Sequence, residues 1–134
     1  MSNEVPLASE SQPLRILVAD DVEAVRYTIV LDMADEGWIV DEAASFGEMH
    51  QKLGRNTYDI VVTDIWMPDG DGISAIKSLR STHPEVCVFA ISGGGPGLSL
   101  ASAKSLAEVW GATQLFVKPF DVADLIGAIK RSRG

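Results

Sequence analysis

Residues 60–72 read IVVTDIWMPDGDG, a short apolar run that ends in Asp64 and passes into a turn rich in proline and glycine. Isoleucine and valine dominate Ile60–Thr63, as they do in strands buried on both faces of a parallel sheet. After the turn, Ile73–Ser81 is a helix candidate. The stretch therefore predicts a strand–loop–helix unit that places a carboxylate where the strand ends.

The same alternation of apolar runs and amphipathic stretches continues on both sides of this unit. The other predicted strands are Arg15–Ala19, Trp38–Ala43, Val86–Ile91 and Leu115–Val117. The other helix candidates lie near Val22–Glu36, Phe46–Leu53, Leu98–Trp110 and Val122–Arg131. Strands that alternate with helices in this way predict an α/β fold, a doubly wound five-stranded parallel sheet with right-handed crossovers and helices on both faces.

Local signals mark several helix ends. Ser45 and Glu48 have the spacing of a capping box, and Asp121 is a suitable N-cap for the last helix. Glycines commonly follow the last turn of a helix, and three are predicted to do so here: Gly37, Gly54 and Gly111.

The chain has 134 residues, about the length of one domain. Its 46% hydrophobic and 22% charged residues are close to globular averages. Residues 1–13 have no periodicity and are predicted to be a flexible tail, and residues 14–134 form the domain. Cys87 is the only cysteine and lies in an apolar run, so we expect a buried thiol in a reducing compartment.

The charge balance excludes several classes of partner. Eleven Lys and Arg residues face nineteen Asp and Glu residues, for a net charge of −8. This argues against direct binding to nucleic acid or to an anionic membrane, since both require clustered cations. The N-terminus lacks the features of a signal peptide, and glycines interrupt the uncharged stretch Val86–Ala103. We therefore expect a cytoplasmic protein.

Reactive side chains follow four of the five predicted strands. Ligands of open α/β sheets bind beyond the carboxyl ends of the strands, and the residues at these positions are Asp20 and Asp21, then Asp64, Ser92 and Lys118. Each alone has a structural explanation: an aspartate can cap a helix or shape a turn, and a lysine is usually solvated. Their convergence on one rim favours a functional site.

The chemistry of this set favours phosphoryl transfer. Carboxylates about 4 Å apart repel each other by roughly 1–4 kcal/mol per pair, depending on the dielectric. Mg²⁺ relieves that repulsion and suits one or two carboxylates, waters and a phosphate. An ammonium and a hydroxyl complete a cradle for phosphoryl oxygens. Asp64, at the centre, is the predicted nucleophile, because carboxylates form aspartyl phosphates.

The order D-D, then D-x-x-M-P-x-x-D-G, then S, then K-P resembles the receiver domain of two-component response regulators. The resemblance extends from Arg15 to Arg131 and is closest to stand-alone, chemotaxis-receiver-like members. It implies the (βα)5 flavodoxin-like receiver fold. It also implies a phosphoacceptor switch that catalyses only its own phosphorylation and dephosphorylation, with Asp64 receiving phosphate from a sensor histidine kinase or a phosphotransfer protein.

The resemblance also assigns roles around Asp64. It implies that Asp21 and Asp64 ligate Mg²⁺ directly, that Asp20 acts through water, and that the Trp66 carbonyl is a further ligand. Two more roles, and one backbone feature, complete the implied set: Ser92 bonds the phosphoryl group, Lys118 pairs with its charge, and the Lys118–Pro119 peptide bond is cis.

The sequence departs from the family pattern at the output side. Leu115 stands where the family usually has a Tyr or Phe that acts as a rotamer switch, and Phe116 is predicted to face the other way. The segment after Ser92 is unusually rich in glycine, with Gly93 where alanine is more usual. These departures leave the five site residues in place, so intact phosphorylation chemistry is expected. The output route is expected to run through Ser92 and the loop that follows it.

Three other functions remain open at this point. A haloacid-dehalogenase-type phosphatase would need a D-x-D pattern on the first strand, but Val22 stands two residues after Asp20. A pseudo-receiver would act through contacts without phosphate, although all the site positions carry competent residues. A flavin-binding protein of the same fold would need a phosphate loop after the first strand, where Asp20 and Asp21 would instead repel an anion.

The last helix reaches the end of the chain, so output is expected through an unknown protein partner or onward phosphotransfer.

Overall fold

The computed structural model describes residues 12–93, residue 105 and residues 108–133. Five strands form the main sheet: β1 (Arg15–Ala19), β2 (Ile39–Ala43), β3 (Ile60–Asp64), β4 (Cys87–Ser92) and β5 (Gln114–Val117). The helices with defined bounds are α1 (Glu23–Asp35), α2 (Phe46–Arg55), α3 (Gly72–Thr82) and α4 (Val122–Arg133). The helix expected over Leu98–Trp110 and most of the expected tail lie largely outside the described residues.

The sheet has the order β2-β1-β3-β4-β5, and all its neighbouring strands are parallel. The chain therefore adds β2 on one side of β1 and β3 on the other, which makes the gap between β1 and β3 the topological switch point. The register brings Ala19 opposite Thr63 at that gap. The predicted doubly wound fold is confirmed, and its ligand-binding crevice lies next to Asp20 and Asp64.

Two apolar layers cover the two faces of the sheet. Successive residues of β1 point to opposite layers, since Leu17 packs with one cluster and Ile16 with the other. The first cluster includes residues of α2 and α3: Met49, Leu53, Ile76 and Leu79. The second includes residues of α1 and α4: Ile29, Met33, Leu125 and Ile129. Burial on both faces explains why β1, β3 and β4 read as nearly continuous apolar runs, whereas the edge strand β2 is partly exposed and carries Asp41 and Glu42.

A short antiparallel hairpin follows β3 and was not predicted. It pairs Trp66–Met67 with Gly70–Asp71 and leads directly into α3. The amide of Gly72 donates to the Ile65 carbonyl at 3.0 Å. A Cβ atom on Gly72 would lie 2.2 Å from the Ile65 Cα, so only glycine permits the hairpin to close this tightly.

Most of the predicted helix ends are confirmed. The Ser45 hydroxyl accepts from the Glu48 amide at 3.1 Å, and the Glu48 carboxylate accepts from the Ala44 amide at 2.7 Å. The Asp121 carboxylate accepts from the Ala123 amide at 3.0 Å. Gly37 and Gly111 follow helical residues and have positive φ angles of 85° and 122°.

Two smaller predictions were wrong. The Gly54 prediction fails because α2 continues through this residue to Arg55, and its backbone has no left-handed turn there. Cys87 is partly exposed rather than buried, since it begins β4 and its Sγ lies 3.1 Å from the Thr113 hydroxyl. None of the helices in the described part of the chain combines the length and apolar character that crossing a bilayer requires.

Candidate functional site

The sheet brings the predicted site residues to one rim. Asp20 directly follows β1, Asp64 ends β3, Ser92 ends β4, and Lys118 directly follows β5. Asp20 and Ser92 are fully buried and Asp64 is 3% exposed, whereas Asp21 is exposed. Buried polar side chains are costly unless they are paired, so their concentration at this rim indicates a functional site.

Three carboxylates form the acidic part of the rim. One oxygen from each of Asp20, Asp21 and Asp64 lies within 4.8 Å of the other two. Such closeness is unfavourable for like charges in the absence of a cation. Carboxylate oxygens arranged in this way are ligands that a hard divalent cation prefers.

Lys118 places its ammonium between two of these carboxylates. Its Nζ donates to Asp64 Oδ2 at 2.7 Å and forms an ion pair with Asp20 Oδ2 at 2.8 Å. Among the described residues, the buried Asp20 Oδ2 is paired only through this ion pair with Lys118. A carboxylate oxygen accepts more than one partner, so a metal cation or an ordered water would fill its remaining acceptor capacity.

Asp64 is held at both carboxylate oxygens. Oδ2 receives the Lys118 ammonium, and Oδ1 accepts from the backbone amide of Trp66 at 2.8 Å. Burial, the largest influence, raises the pKa of Asp64 above its usual value, although the hydrogen bonds from Lys118 and the Trp66 amide partly oppose it. A more basic carboxylate oxygen is a better nucleophile towards phosphorus.

Lys118 stays charged in this setting. Burial, the largest single influence, lowers its pKa, but Asp20 and Asp64 together outweigh burial and leave the pKa of Lys118 above its usual value. The Lys118 amide donates to the Ser92 carbonyl at 2.8 Å, which ties the ends of β4 and β5 together. The Lys118–Pro119 peptide bond is cis, as the sequence motif implied.

Leu115 and Phe116 of β5 face opposite layers, as predicted. Leu115 is buried in the cluster that includes residues of α2 and α3. Phe116 packs in the other cluster, with its ring 5.7 Å from the Phe120 ring. Phe116 therefore does not replace a switch aromatic at Leu115. The glycine-rich loop proposed for output lies outside the described residues beyond Gly93.

Two features near the site were not predicted from the sequence. Arg26 donates from Nη1 to the Asp20 carbonyl at 2.6 Å; its position six residues further along the chain was the only signal available. Asp69 accepts from the amides of Phe46 and Gly47 at 3.1 and 3.0 Å, which ties the hairpin to the start of α2. Both contacts join residues that no local pattern pairs.

Comparison with known proteins identifies the family. The family model described as "response regulator receiver domain" matches residues 16–130. A CheY-like receiver domain protein from Methanospirillum hungatei JF-1 superposes with a TM-score of 0.82 at 26% identity, covering 90% of this chain and 94% of that one. The beryllofluoride-activated NtrC4 receiver domain dimer gives a TM-score of 0.79 at 31% identity, covering 88% and 94%.

Curated relatives match only part of their own length. The response regulator MprA of Mycobacterium sp. (strain KMS) is 31% identical over 123 residues, which are 88% of this chain and 50% of the relative. The transcriptional regulator NtrC of Azospirillum brasilense is 28% identical over 117 residues, 87% of this chain and 24% of the relative. This chain thus spans a quarter to a half of these two relatives.

Proposed function

The chain belongs to the response regulator receiver family of two-component signalling, and from this premise we propose that Asp64 accepts a phosphoryl group and that the domain signals through the resulting change in its surface. One observation carries the proposal. Asp64 is a buried carboxylate at the end of the central strand, 2.7 Å from the Lys118 ammonium and beside two further carboxylates.

The residues present fit a magnesium ion. The three clustered carboxylates supply hard oxygen donors. In this proposal Asp21 and Asp64 are direct ligands, Asp20 acts through water, and the Trp66 carbonyl is a further ligand. The bound ion would neutralise charge on the phosphoryl oxygens during transfer.

The chain's own residues supply the remaining functions. An oxygen of Asp64 attacks the phosphorus of a phosphohistidine, the P–N bond breaks, and the imidazole nitrogen leaves with the electron pair. Lys118 holds the transferring oxygens through its ammonium, and the Ser92 hydroxyl donates to one of them. Because burial lowers the local dielectric, these charge interactions are stronger here than in water.

The phosphoryl donor in this proposal is a sensor histidine kinase or a phosphotransfer protein. The output partner in this proposal is a further protein that recognises the phosphorylated surface. We propose a cytoplasmic switch without an activity on other substrates. The family match removes the main support for the haloacid-dehalogenase alternative.

Phosphorylation by acetyl phosphate with Mg²⁺ tests the proposal. The unmodified chain should gain one phosphoryl group by intact mass spectrometry, and Asp64→Asn should gain none. Asp32→Asn, which changes an exposed carboxylate on α1, is the matched control and should behave like the unmodified chain. Stoichiometric uptake by Asp64→Asn would show that the nucleophile is assigned wrongly, and no uptake by the unmodified chain would favour a pseudo-receiver.

A further inference from the structure

Arg26 is the fourth residue of α1, and its side chain contacts the backbone of the acidic site. Its side chain is only 12% exposed. One branch of the guanidinium, Nη1, donates to the Asp20 carbonyl at 2.6 Å, and Nε donates to Glu42 Oε1 at 2.8 Å. The Arg26 cation therefore contacts a carbonyl of the site and a carboxylate outside it.

The contact completes a set of three bonds that fix Asp20. Its amide donates to the Ala43 carbonyl at 3.0 Å, and its Oδ1 accepts from the Val22 amide at 2.8 Å. Arg26 holds the third group, the carbonyl. This carbonyl belongs to the peptide unit that joins Asp20 to Asp21, so its orientation helps to set the backbone from which both carboxylates extend.

Arginine suits this position better than lysine would. The planar guanidinium donates in two fixed directions at once, whereas an ammonium on a flexible stem does not hold two partners in a defined geometry. Glu42 lies near the end of β2 and is 43% exposed. Its ion pair with Arg26 contributes little by itself but restricts the guanidinium to the orientation that reaches the Asp20 carbonyl.

A purely electrostatic role would have the opposite effect. A positive charge near three carboxylates competes with a metal cation, so its removal would strengthen Mg²⁺ binding. A role in orienting the ligands means that its removal would weaken binding. The two roles therefore predict changes of opposite sign in the Mg²⁺ dissociation constant.

We propose that Arg26, oriented by Glu42, is a positioning residue that sets the Asp20–Asp21 peptide for cation binding. The inference rests on the proposed function, because it concerns the same magnesium site. Groups that orient metal ligands without touching the metal commonly change metal affinity by about 10- to 100-fold.

Isothermal titration of the full chain with MgCl₂ tests the proposal. Arg26→Lys keeps the charge but loses the fork, and Arg26→Gln loses both; each should weaken Mg²⁺ binding on the order of tenfold. Glu42→Gln should weaken it by about two- to fivefold. The matched control is Lys130→Met, which removes the Lys130–Glu36 ion pair between α4 and α1, and it should leave the dissociation constant unchanged.

A double variant and a stability measurement separate positioning from general support of the fold. Arg26→Gln combined with Glu42→Gln should bind Mg²⁺ no more weakly than Arg26→Gln alone, since Glu42 acts through Arg26. Circular dichroism at the titration temperature verifies that each variant is folded. A merely structural role would lower the melting temperature while leaving the Mg²⁺ affinity of the folded protein intact.

Three results would overturn the inference. If the unmodified chain binds Mg²⁺ and Arg26→Lys binds it equally well or more tightly, the positioning role is wrong while the proposed function stands. If the Arg26 variants do not fold, Glu42→Gln decides, and an unchanged affinity in that variant refutes the role. If the unmodified chain does not bind Mg²⁺, the proposed function fails and this inference fails with it.

Discussion

At the scale of single residues, the site is built around Asp64, whose two carboxylate oxygens each have a donor. Oδ2 is bound to the Lys118 ammonium at 2.7 Å, while Oδ1 is fixed by the Trp66 amide. The two groups that engage Asp64 therefore have different roles in the proposed transfer. The backbone amide holds the carboxylate in place, whereas the Lys118 ammonium is the group proposed to pair with the incoming phosphoryl oxygens.

The Lys118–Asp64 contact predicts a change in titration. The hydrogen bond and charge of Lys118 lower the pKa of Asp64, against the larger effect of burial that raises it. Lys118→Met removes the hydrogen bond and the charge of Lys118 but leaves the Asp64 carboxyl buried. The pKa of Asp64 should therefore rise further in Mg²⁺-free protein. Carbon-detected NMR titration of the Asp64 carboxyl measures this directly. A pKa that stays the same or falls would contradict the contact.

At the scale of elements, the turn between β3 and α3 depends on a close approach between the backbones of Gly72 and Ile65. The Gly72 position admits no side chain, because a Cβ would lie 2.2 Å from the backbone of Ile65. Gly54, in α2, is the opposite case, since a Cβ there would meet nothing within 4 Å. The two glycines provide a matched pair of tests.

Gly72→Ala should destabilise the domain by about 1–3 kcal/mol, because the hairpin must shift to admit the methyl group. Gly54→Ala should instead stabilise it by about 0.5–1 kcal/mol, since alanine has the higher helix propensity and the helical backbone there needs no positive φ. Urea denaturation measures both free energies of unfolding. Equal effects of the two substitutions would refute the close approach at Gly72.

The Asp69 tether between the hairpin and α2 predicts a dependence of stability on pH. The amides of Gly47 and then Phe46 lower the pKa of Asp69 in the folded protein. A carboxyl whose pKa falls on folding stabilises the fold above its unfolded pKa, near 3.9, and loses that contribution as the pH falls through the folded value. Asp69→Asn should therefore lower the free energy of unfolding at neutral pH.

Denaturation of both proteins between pH 7 and pH 2.5 is the measurement. The gap between Asp69→Asn and the unmodified chain should narrow as the pH falls below about 4. Asp32→Asn is the control for removal of a surface charge and should show no such narrowing. A gap that is independent of pH would mean that the carboxylate charge is not what holds the start of α2.

At the scale of the whole molecule, the sheet order explains which parts of the site could be predicted. Parallel strands end at one rim, so the side chains of Asp20, Asp64, Ser92 and Lys118 could be placed together from strand order alone. The contacts of Arg26 and Asp69 could not, because they depend on distances between elements that no sequence period encodes. The Gly54 prediction failed for a related reason: packing of Leu53 in the core carries α2 past a residue that locally favours a helix end.

The proposed Mg²⁺ site at the acidic rim predicts that stability depends on Mg²⁺. A cation that binds only the folded state stabilises it by mass action, by about 2.7 kcal/mol at one hundred times the dissociation constant. The melting temperature at neutral pH should therefore rise with Mg²⁺, and the rise should be much smaller in Asp21→Ala, which loses one of the three clustered carboxylates. An identical rise in both proteins would place the stabilising cation elsewhere.

The central claim is that Asp64 is the residue that becomes phosphorylated. Treating the Mg²⁺-loaded chain with acetyl phosphate, reducing the acyl phosphate with borohydride, and sequencing the peptides by tandem mass spectrometry identifies the modified carboxyl. The account predicts homoserine at Asp64 and unmodified aspartate at Asp20 and Asp21. Homoserine at either of those residues, with Asp64 intact, would contradict it.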